Sequence, residues 1–384
     1  MMRGTEEKTT QKIRNLLVDF RDWKEDELER WLEALLLRIV PADEAAGEKA
    51  AYRWSKVAKP LHSLGILDED IRRIAAMQGK GQPDISKKAL VLFCADNGVV
   101  EEGVTQTGQE VTAAVTRNFT RGESCSCLMA QRAGADVFPV DIGVACEMDK
   151  LGTVYPLIDR KIRRGTRNFT KEPAMSRREV ITAILTGADL VRVLKRAGYG
   201  ILATGEMGIG NTTTSSAVAA VLLQEEPEKV TGKGAGLSEE GLKRKIAAIK
   251  TGIQRWKPNE KDGIDLLAKV GGFDLAGLAG VFLGCAAFQM PVIIDGLISA
   301  AAAAAAAVID GRVRDYMLAA HVSAEPAGEG LLALLGQTPV IRAGLCLGEG
   351  TGALMLFPLL DMTMEIYNKM CTFSEMEIEE YQPL

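Results

Sequence analysis

Three glycine-rich junctions hold the side chains best placed to do chemistry. The first, Gly205-Glu206-Met207-Gly208-Ile209-Gly210-Asn211-Thr212-Thr213, ends an apolar run and precedes a helix-like segment. Glycines there allow unusual backbone angles, and free N–H groups at a helix start can point at a phosphate. The spacing is close to that of a triphosphate-binding loop, but Asn211 stands where such a loop has its lysine, and the string is not G-x-G-x-x-G. Triphosphates and dinucleotides are therefore disfavoured. Glu206 would repel a phosphate unless it serves another group, such as the N–H of a heterocycle, so the expected ligand is mixed.

The second junction, Thr231-Gly232-Lys233-Gly234-Ala235-Gly236, precedes a helix expected from near Ser238 that carries Lys243, Arg244 and Lys245. Open backbone beside cations again suits a phosphate, although Lys245 taken alone reads as a solvated surface charge. The third, Leu347-Gly348-Glu349-Gly350-Thr351-Gly352, sets Glu349 between glycines at the end of an apolar run. Burial there would raise its proton affinity and suit a general base working near neutral pH. The plainer role is a helix N-terminal acid facing the dipole.

These junctions need a scaffold. From about residue 88 short apolar runs alternate with helix-like segments, the mark of α/β units. Six candidate strands emerge, at 88–98, 135–143, 199–211, 291–296, 315–323 and 341–352. Their near-continuous hydrophobicity is that of a parallel sheet covered on both faces. Asp96, Asp141, Glu206, Asp295, Ser323 and Glu349 fall at the C-terminal ends of these runs, where an open parallel sheet takes its ligand. Ser176 and Glu179 form a capping box, Gly198 closes the helix that follows it, and Ala300 to Ala307 read as a buried packing helix. Leu16, Leu17, Phe20, Trp23, Leu28, Trp31, Leu32, Leu35 and Leu36 form an amphipathic stripe, with Trp23 and Trp31 assigned to packing and to a second subunit. The expected fold is a Rossmann-like three-layer α/β/α arrangement around a mostly parallel sheet of about six strands, with a small helical subdomain. Residues 86–355 make the α/β catalytic domain, 1–85 an N-terminal helical segment and 356–384 a C-terminal one packing with it.

Composition narrows the function classes. The 384 residues are 47% hydrophobic and 25% charged, with 46 Lys plus Arg against 51 Asp plus Glu and a net charge of -5. The dispersed basic residues make nucleic acid an unlikely partner. The opening MMRGTEEKTTQKIRNLL lacks a signal-peptide core, and the most apolar stretch, 291–309, is interrupted by Asp295, so no membrane span is expected. Seven cysteines without a C-x-x-C pair, Cys94 and Cys346 among them, read as buried, reduced thiols of a cytoplasmic protein. With two histidines, His62 and His321, the Cys125-x-Cys127 pair lacks co-ligands, so no metal is expected.

The motifs together resemble the nicotinate-nucleotide:dimethylbenzimidazole phosphoribosyltransferase family of cobalamin lower-ligand assembly. The strings that carry the likeness are KPLHSLGILDE (59–69), ADNGVVEEGVTQTGQEVT (95–112), VDIGV (140–144), GTRNFTKEPAMS (165–176), GEMGIGNTTT (205–214), GKGAGLS (232–238), GGFDLAGLAG (271–280), DGLISAAAA (295–303), HVSAEP (321–326) and LGEGTGA (347–353). They span about residues 59 to 370. Two departures stand out: Asn97 occupies a position where the family commonly has His, and a KPPGSLG-like string appears as KPLHSLG. Neither touches the expected base, but Asn97 and the TQTG segment (105–108) bear on the pocket that receives the aromatic ring.

The resemblance implies transfer of phosphoribose from nicotinate mononucleotide to 5,6-dimethylbenzimidazole or a related base, giving α-ribazole 5'-phosphate and nicotinate. It implies Glu349 as general base, Glu206 orienting the incoming benzimidazole, and Gly208, Gly210, Asn211, Gly234 and Lys245 around the phosphate. Asp295 and Ser323 are expected to approach the nucleotide. No cofactor and no metal is implied, and a homodimer is expected. The rivals are a nucleotide-dependent kinase or dehydrogenase, and a catalytically silent nucleotide- or benzimidazole-binding protein of the same fold.

Overall fold

The computed structural model describes residues 13–381, so residues 1–12 of the expected N-terminal segment and 382–384 of the C-terminal one lie outside the described residues. Six strands form one sheet: β1 (Lys88–Ala95), β2 (Ala135–Gly143), β3 (Ile158–Asp159), β4 (Ile201–Met207), β5 (Val292–Ile294) and β6 (Met317–Ala319). Their order is β3-β2-β1-β4-β5-β6, and every neighbouring pair is parallel. The order reverses between β1 and β4, which opens a crevice at their C-terminal ends.

Five strands lie where the apolar runs placed them, but the sixth is a correction. Residues 341–352 make a single bridge, Ile341 to His321, and then leave the sheet. Gly344, Gly348, Glu349 and Gly350 all have left-handed backbone, with φ of 67°, 85°, 58° and 77°, which no ladder tolerates. The sixth strand is instead β3, whose two residues are too short to show a periodic pattern.

The helices are α1 (Glu25–Leu36), α2 (Glu44–Lys56), α3 (Ile66–Gln78), α4 (Glu110–Arg121), α5 (Cys125–Ala133), α6 (Arg177–Arg196), α7 (Asn211–Leu223), α8 (Pro227–Val230), α9 (Glu239–Trp256), α10 (Gly263–Val270), α11 (Phe273–Ala287), α12 (Leu297–Ile309), α13 (Gly328–Leu334) and α14 (Thr351–Lys369). Successive side chains of β1 point to opposite faces of the sheet. Phe93 meets Gly277 of α11, whereas Leu90 meets Gly350 at the start of α14, so helices cover both faces and all of β1 is buried. Helix α11 also lies against α6 at backbone distance: a Cβ on Gly187 would collide with the carbonyl of Gly277, and one on Gly280 with that of Ile184. Ser176 caps α6 with Glu179 in the expected box, Gly198 follows its end with φ of 86°, and every alanine from 300 to 307 is buried in α12.

Most of the N-terminal stripe packs as its spacing requires, but Leu16 is exposed and residues 17–24 are not helical. Leu28, Leu32 and Leu35 bury the inner face of α1, which lies along α6, while Phe20, Trp23 and Trp31 form an edge-to-face trio with centroids 5.1–5.8 Å apart. Val57 bridges Thr372, and Arg53 donates to the carbonyls of Tyr367 and Asn368 at 2.8 and 3.0 Å, tying α2 to the C-terminal segment. The cysteines divide: Cys94, Cys127 and Cys285 are buried and Cys146 is half-buried, but Cys125, Cys371 and Cys346 are exposed. Cys346 is therefore a correction, because its run is a loop and not a covered strand. No helix among the described residues is long and apolar enough to cross a membrane.

Candidate active site

A cavity of about 260 Å³ opens beyond the C-terminal ends of β4, β5 and β6, and Glu206, Gly208, Asn211, Gly234, Asp295, Ser323 and Glu349 all line it. Four of the six strand-end residues thus converge on one place; Asp96 and Asp141 are a correction, because they do not line the cavity and instead accept the N–H groups of Ala145 at 2.7 Å and Val144 at 2.9 Å. A larger hollow of about 740 Å³, beside Asp70, Arg73 and Arg314, contains none of the expected residues. Among the described residues no three His, Cys, Asp or Glu side chains gather as a metal site.

Glu206 is the last residue but one of β4 and lies in the cavity wall at 6% exposure. Its Oε2 accepts from Nδ2 of Asn211, at the start of α7, and the same nitrogen lies 3.2 Å from Oδ2 of Asp274. Gly208 makes room for this contact, since a Cβ there would stand 2.8 Å from Asp274 Oδ2. Burial first, then the negative charges of Asp274 and Asp295, push the Glu206 pKa up to about 8 against the Asn211 hydrogen bond. Asp274, fully buried, is pushed up to about 7, chiefly by burial.

Glu349 is half-buried on the loop before α14. Burial raises its pKa, opposed by hydrogen bonds from Ser126, whose Oγ lies 3.2 Å from Oε2. The loop is pinned from beneath. Asp295, just past β5, accepts the N–H groups of Gly350 at 3.2 Å and Ala353 at 3.0 Å, and its Oδ1 lies 3.8 Å from Nε2 of His321. Asp295 lines the cavity, but its oxygens are engaged with the start of α14.

Lys245 overturns the surface-charge reading. Its side chain is fully buried in α9, where Nζ donates to Thr212 Oγ1 at 2.9 Å and to the Gly232 carbonyl at 3.0 Å. Burial lowers its pKa to about 8, with Glu325 acting the other way. Lys245 stands behind Thr212 and Gly234, and Gly210, with φ of 94°, caps α7; neither lines the cavity itself. Several amides at this end are already engaged: Ile209 donates to Thr112 Oγ1, Asn211 to Gly208, Thr213 to Gly210 and Gly234 to Glu325 Oε1. The expectation of free amides is corrected at those four positions.

Comparison with known proteins decides the family. Residues 39–378 match the sequence model of the family described as phosphoribosyltransferase. A nicotinate-nucleotide–dimethylbenzimidazole phosphoribosyltransferase of Acetivibrio thermocellus is 46% identical over 331 residues, which is 86% of this chain and 93% of that protein. The protein of the same name from Ruminiclostridium cellulolyticum is 47% identical over 337 residues, 88% of this chain and 95% of that protein. The chain belongs to this phosphoribosyltransferase family. Among solved structures, CobT from Thermus thermophilus superposes with a TM-score of 0.82 at 37% identity, covering 88% of this chain and all of the other.

In this phosphoribosyltransferase several residues at the site escape the motif reading. Ser126 lies inside the Cys125-x-Cys127 string, which draws attention only for metal binding. Asp274 and Glu325 belong to strings that carry the family likeness, yet neither receives a role from it. His321 lines the cavity and enters the sequence argument only as a scarce metal ligand. Asn97 is fully buried, beside the spaces where Gly210 and Gly272 would carry a Cβ, and does not line the cavity.

Proposed function

We propose that this chain transfers the 5-phosphoribosyl group of nicotinate mononucleotide to 5,6-dimethylbenzimidazole or a related lower-ligand base. The products are α-ribazole 5'-phosphate and nicotinate. The observation that carries the site assignment is Glu349: a half-buried carboxylate, held by Ser126, on the rim of the cavity that Glu206 and two glycine junctions share. The names of relatives at 46–47% identity carry the substrate pair.

The chemistry matches this sparse inventory. One azole nitrogen attacks C1' of the ribose as the bond from C1' to the pyridinium nitrogen breaks, inverting the anomeric carbon. The electron pair of the broken bond neutralises the pyridinium, so nicotinate leaves without being protonated. The azole becomes cationic, and its other nitrogen gives its proton to Glu349. The cavity supplies the rest by holding two flat rings on opposite sides of one carbon. In this reading Gly208, Gly210, Asn211, Gly234 and Lys245 surround the phosphate. Ser323 approaches the nucleotide, Asp295 braces the loop of Glu349, and Glu206 faces the heterocycles.

The working unit is proposed to be a cytoplasmic homodimer, with Trp31, 44% exposed, on the outer edge of its aromatic trio as part of the contact. Residues 86–355 are read as the catalytic domain, flanked by helical segments 1–85 and 356–384 that pack together; the Val57–Thr372 bridge supports that pairing. The test is to incubate the pure protein with nicotinate mononucleotide and a panel of benzimidazoles, purines and phenols. Nicotinate release with a new riboside in the mass spectrum is expected; its absence with every base would refute the function.

A further inference from the structure

The charged neighbours that act most on Glu206 are acids: Asp274 from the start of α11, Asp295 beyond β5 and Glu349 from the loop before α14, while His321 lines the same cavity with its Nε2 3.8 Å from Asp295. Its hydrogen-bond partner is the side-chain amide of Asn211. An amide NH2 only donates, so Oε2 of Glu206 must accept. Asp274 fixes that direction, because its Oδ2 faces the same nitrogen from the other side. A reversed amide would set its carbonyl oxygen between two carboxyl groups. The remaining oxygen, Oε1, lies on the side of Gly348, where a Cβ would stand only 2.7 Å from it.

A buried acid among other acids keeps its proton. Here Oε2 is already accepting, so the proton belongs on Oε1. We infer that Glu206 enters the cavity as a hydrogen-bond donor through Oε1, and that Asp274, acting through Asn211, is the positioning residue that keeps it so. This inference rests on the phosphoribosyl-transfer reading and sharpens it. Both azole nitrogens are occupied during the reaction, one by C1' and the other by Glu349. The acceptor that Glu206 meets is therefore an oxygen of the nucleotide, on the ribose or on the nicotinate carboxylate. That moves Glu206 from the incoming azole to the nucleotide half of the site.

The experiment compares kcat/KM against pH for the wild type, Glu206→Gln, Glu206→Leu and Asp274→Asn, with thermal unfolding run on each. The wild type is expected to lose activity as pH rises through about 8, where Glu206 gives up its proton. Glutamine keeps one acceptor and one donor, so Glu206→Gln should lose at most about tenfold and lack the alkaline limb, while Glu206→Leu should lose about a hundredfold. Asp274→Asn removes the neighbouring charge that favours the proton and should move the limb to lower pH. Replacing the nucleotide with the unsubstituted pyridinium mononucleotide, which has no acceptor on its ring, separates the two, since a carboxylate partner would erase the gap between the Gln and Leu variants and a ribose partner would leave it. Glutamine as damaging as leucine, or an alkaline limb that survives in Glu206→Gln, overturns the inference. A carboxylic-acid stretch that the wild type shows at neutral pH in the infrared difference spectrum against Glu206→Gln reads the donor state without turnover. Its absence from the wild type also overturns the inference, whereas failure of the wild type to release nicotinate counts against the transfer reading alone.

Discussion

The hydroxyl of Ser126 lies 3.2 Å from Oε2 of Glu349, joining the start of α5 to the loop that carries the proposed base. A hydrogen bond to the charged form of a carboxylate favours that form, so Ser126 tempers the upward push that burial exerts.

Ser126→Ala should therefore raise the pKa of Glu349. The base must be ionised to work, so the acid limb of the pH–rate profile is expected to move to higher pH, with a loss of about two- to tenfold at neutral pH. Rates measured from pH 5 to 8 check this; an unmoved limb would place Ser126 outside the proton transfer.

Glu349→Gln keeps size and hydrogen bonding but cannot take a proton. Turnover is expected to fall about a hundredfold or more while both substrates still bind. Calorimetry with each ligand beside a turnover assay separates the two effects. Near wild-type turnover would return Glu349 to the role of a helix-start acid.

Lys245→Met should divide stability from binding. A lysine whose pKa falls to about 8 on folding is a charge the fold holds at a cost, and that cost fades as pH rises from about 8 toward 10.5. The variant is expected to keep or raise Tm at pH 7 while KM for nicotinate mononucleotide rises about tenfold or more, since a phosphate loses its buried cation. A lower Tm with unchanged KM would make Lys245 purely structural.

The ligand-free protein should lose stability between about pH 5 and 8, the reverse of ordinary acid denaturation. Asp96, Asp70, Asp274 and Glu206 have pKa values pushed up to about 6, 7, 7 and 8 by burial. In that window the folded chain binds more protons than the unfolded one, so stability falls as pH rises through each folded pKa. Carboxyl groups whose pKa is lowered, such as Asp19 and Glu179, titrate below this range. Calorimetric unfolding at pH 5.5 and 8 tests the sign, and a higher Tm at pH 8 would contradict it.

Light scattering at micromolar concentration should return the mass of a dimer. A monomeric mass would leave Trp31 as an exposed aromatic with no partner.

The sequence is most legible where one residue's environment repeats along an element. The eight alanines of α12, the Ser176–Glu179 box and the unbroken apolar run of β1 each announce their structure, because burial on every side or a cap at a fixed offset leaves its mark in neighbouring positions. Glu206 and Glu349 are legible for a related reason, each standing alone between glycines at an apolar boundary. What escapes depends on contacts far along the chain. Ser126 meets Glu349 across 223 positions, Asp274 meets Asn211 across 63, and the burial of Lys245 depends on Thr212 and Gly232. The run at 341–352 misleads because its apolar residues, Leu345, Cys346 and Leu347, share the composition of a strand while the glycines on either side of them force left-handed turns.

That excursion from the sheet has a consequence for how the enzyme completes a cycle. A base at the end of a strand could shift only by breaking a ladder shared with its neighbours. Glu349 instead rides on backbone outside the sheet, hinged at the Ile341 bridge and fastened at Gly350 and Ala353 by Asp295. Segments outside a ladder and held by few backbone hydrogen bonds open at free energies below that of global unfolding. Product is expected to leave by a local swing of residues 342–349 that breaks the Ala324–Leu345 backbone bond and the Ser126–Glu349 bond while β1, β4 and β5 stay zipped, and hydrogen exchange should find those amides slowed by a bound nucleotide.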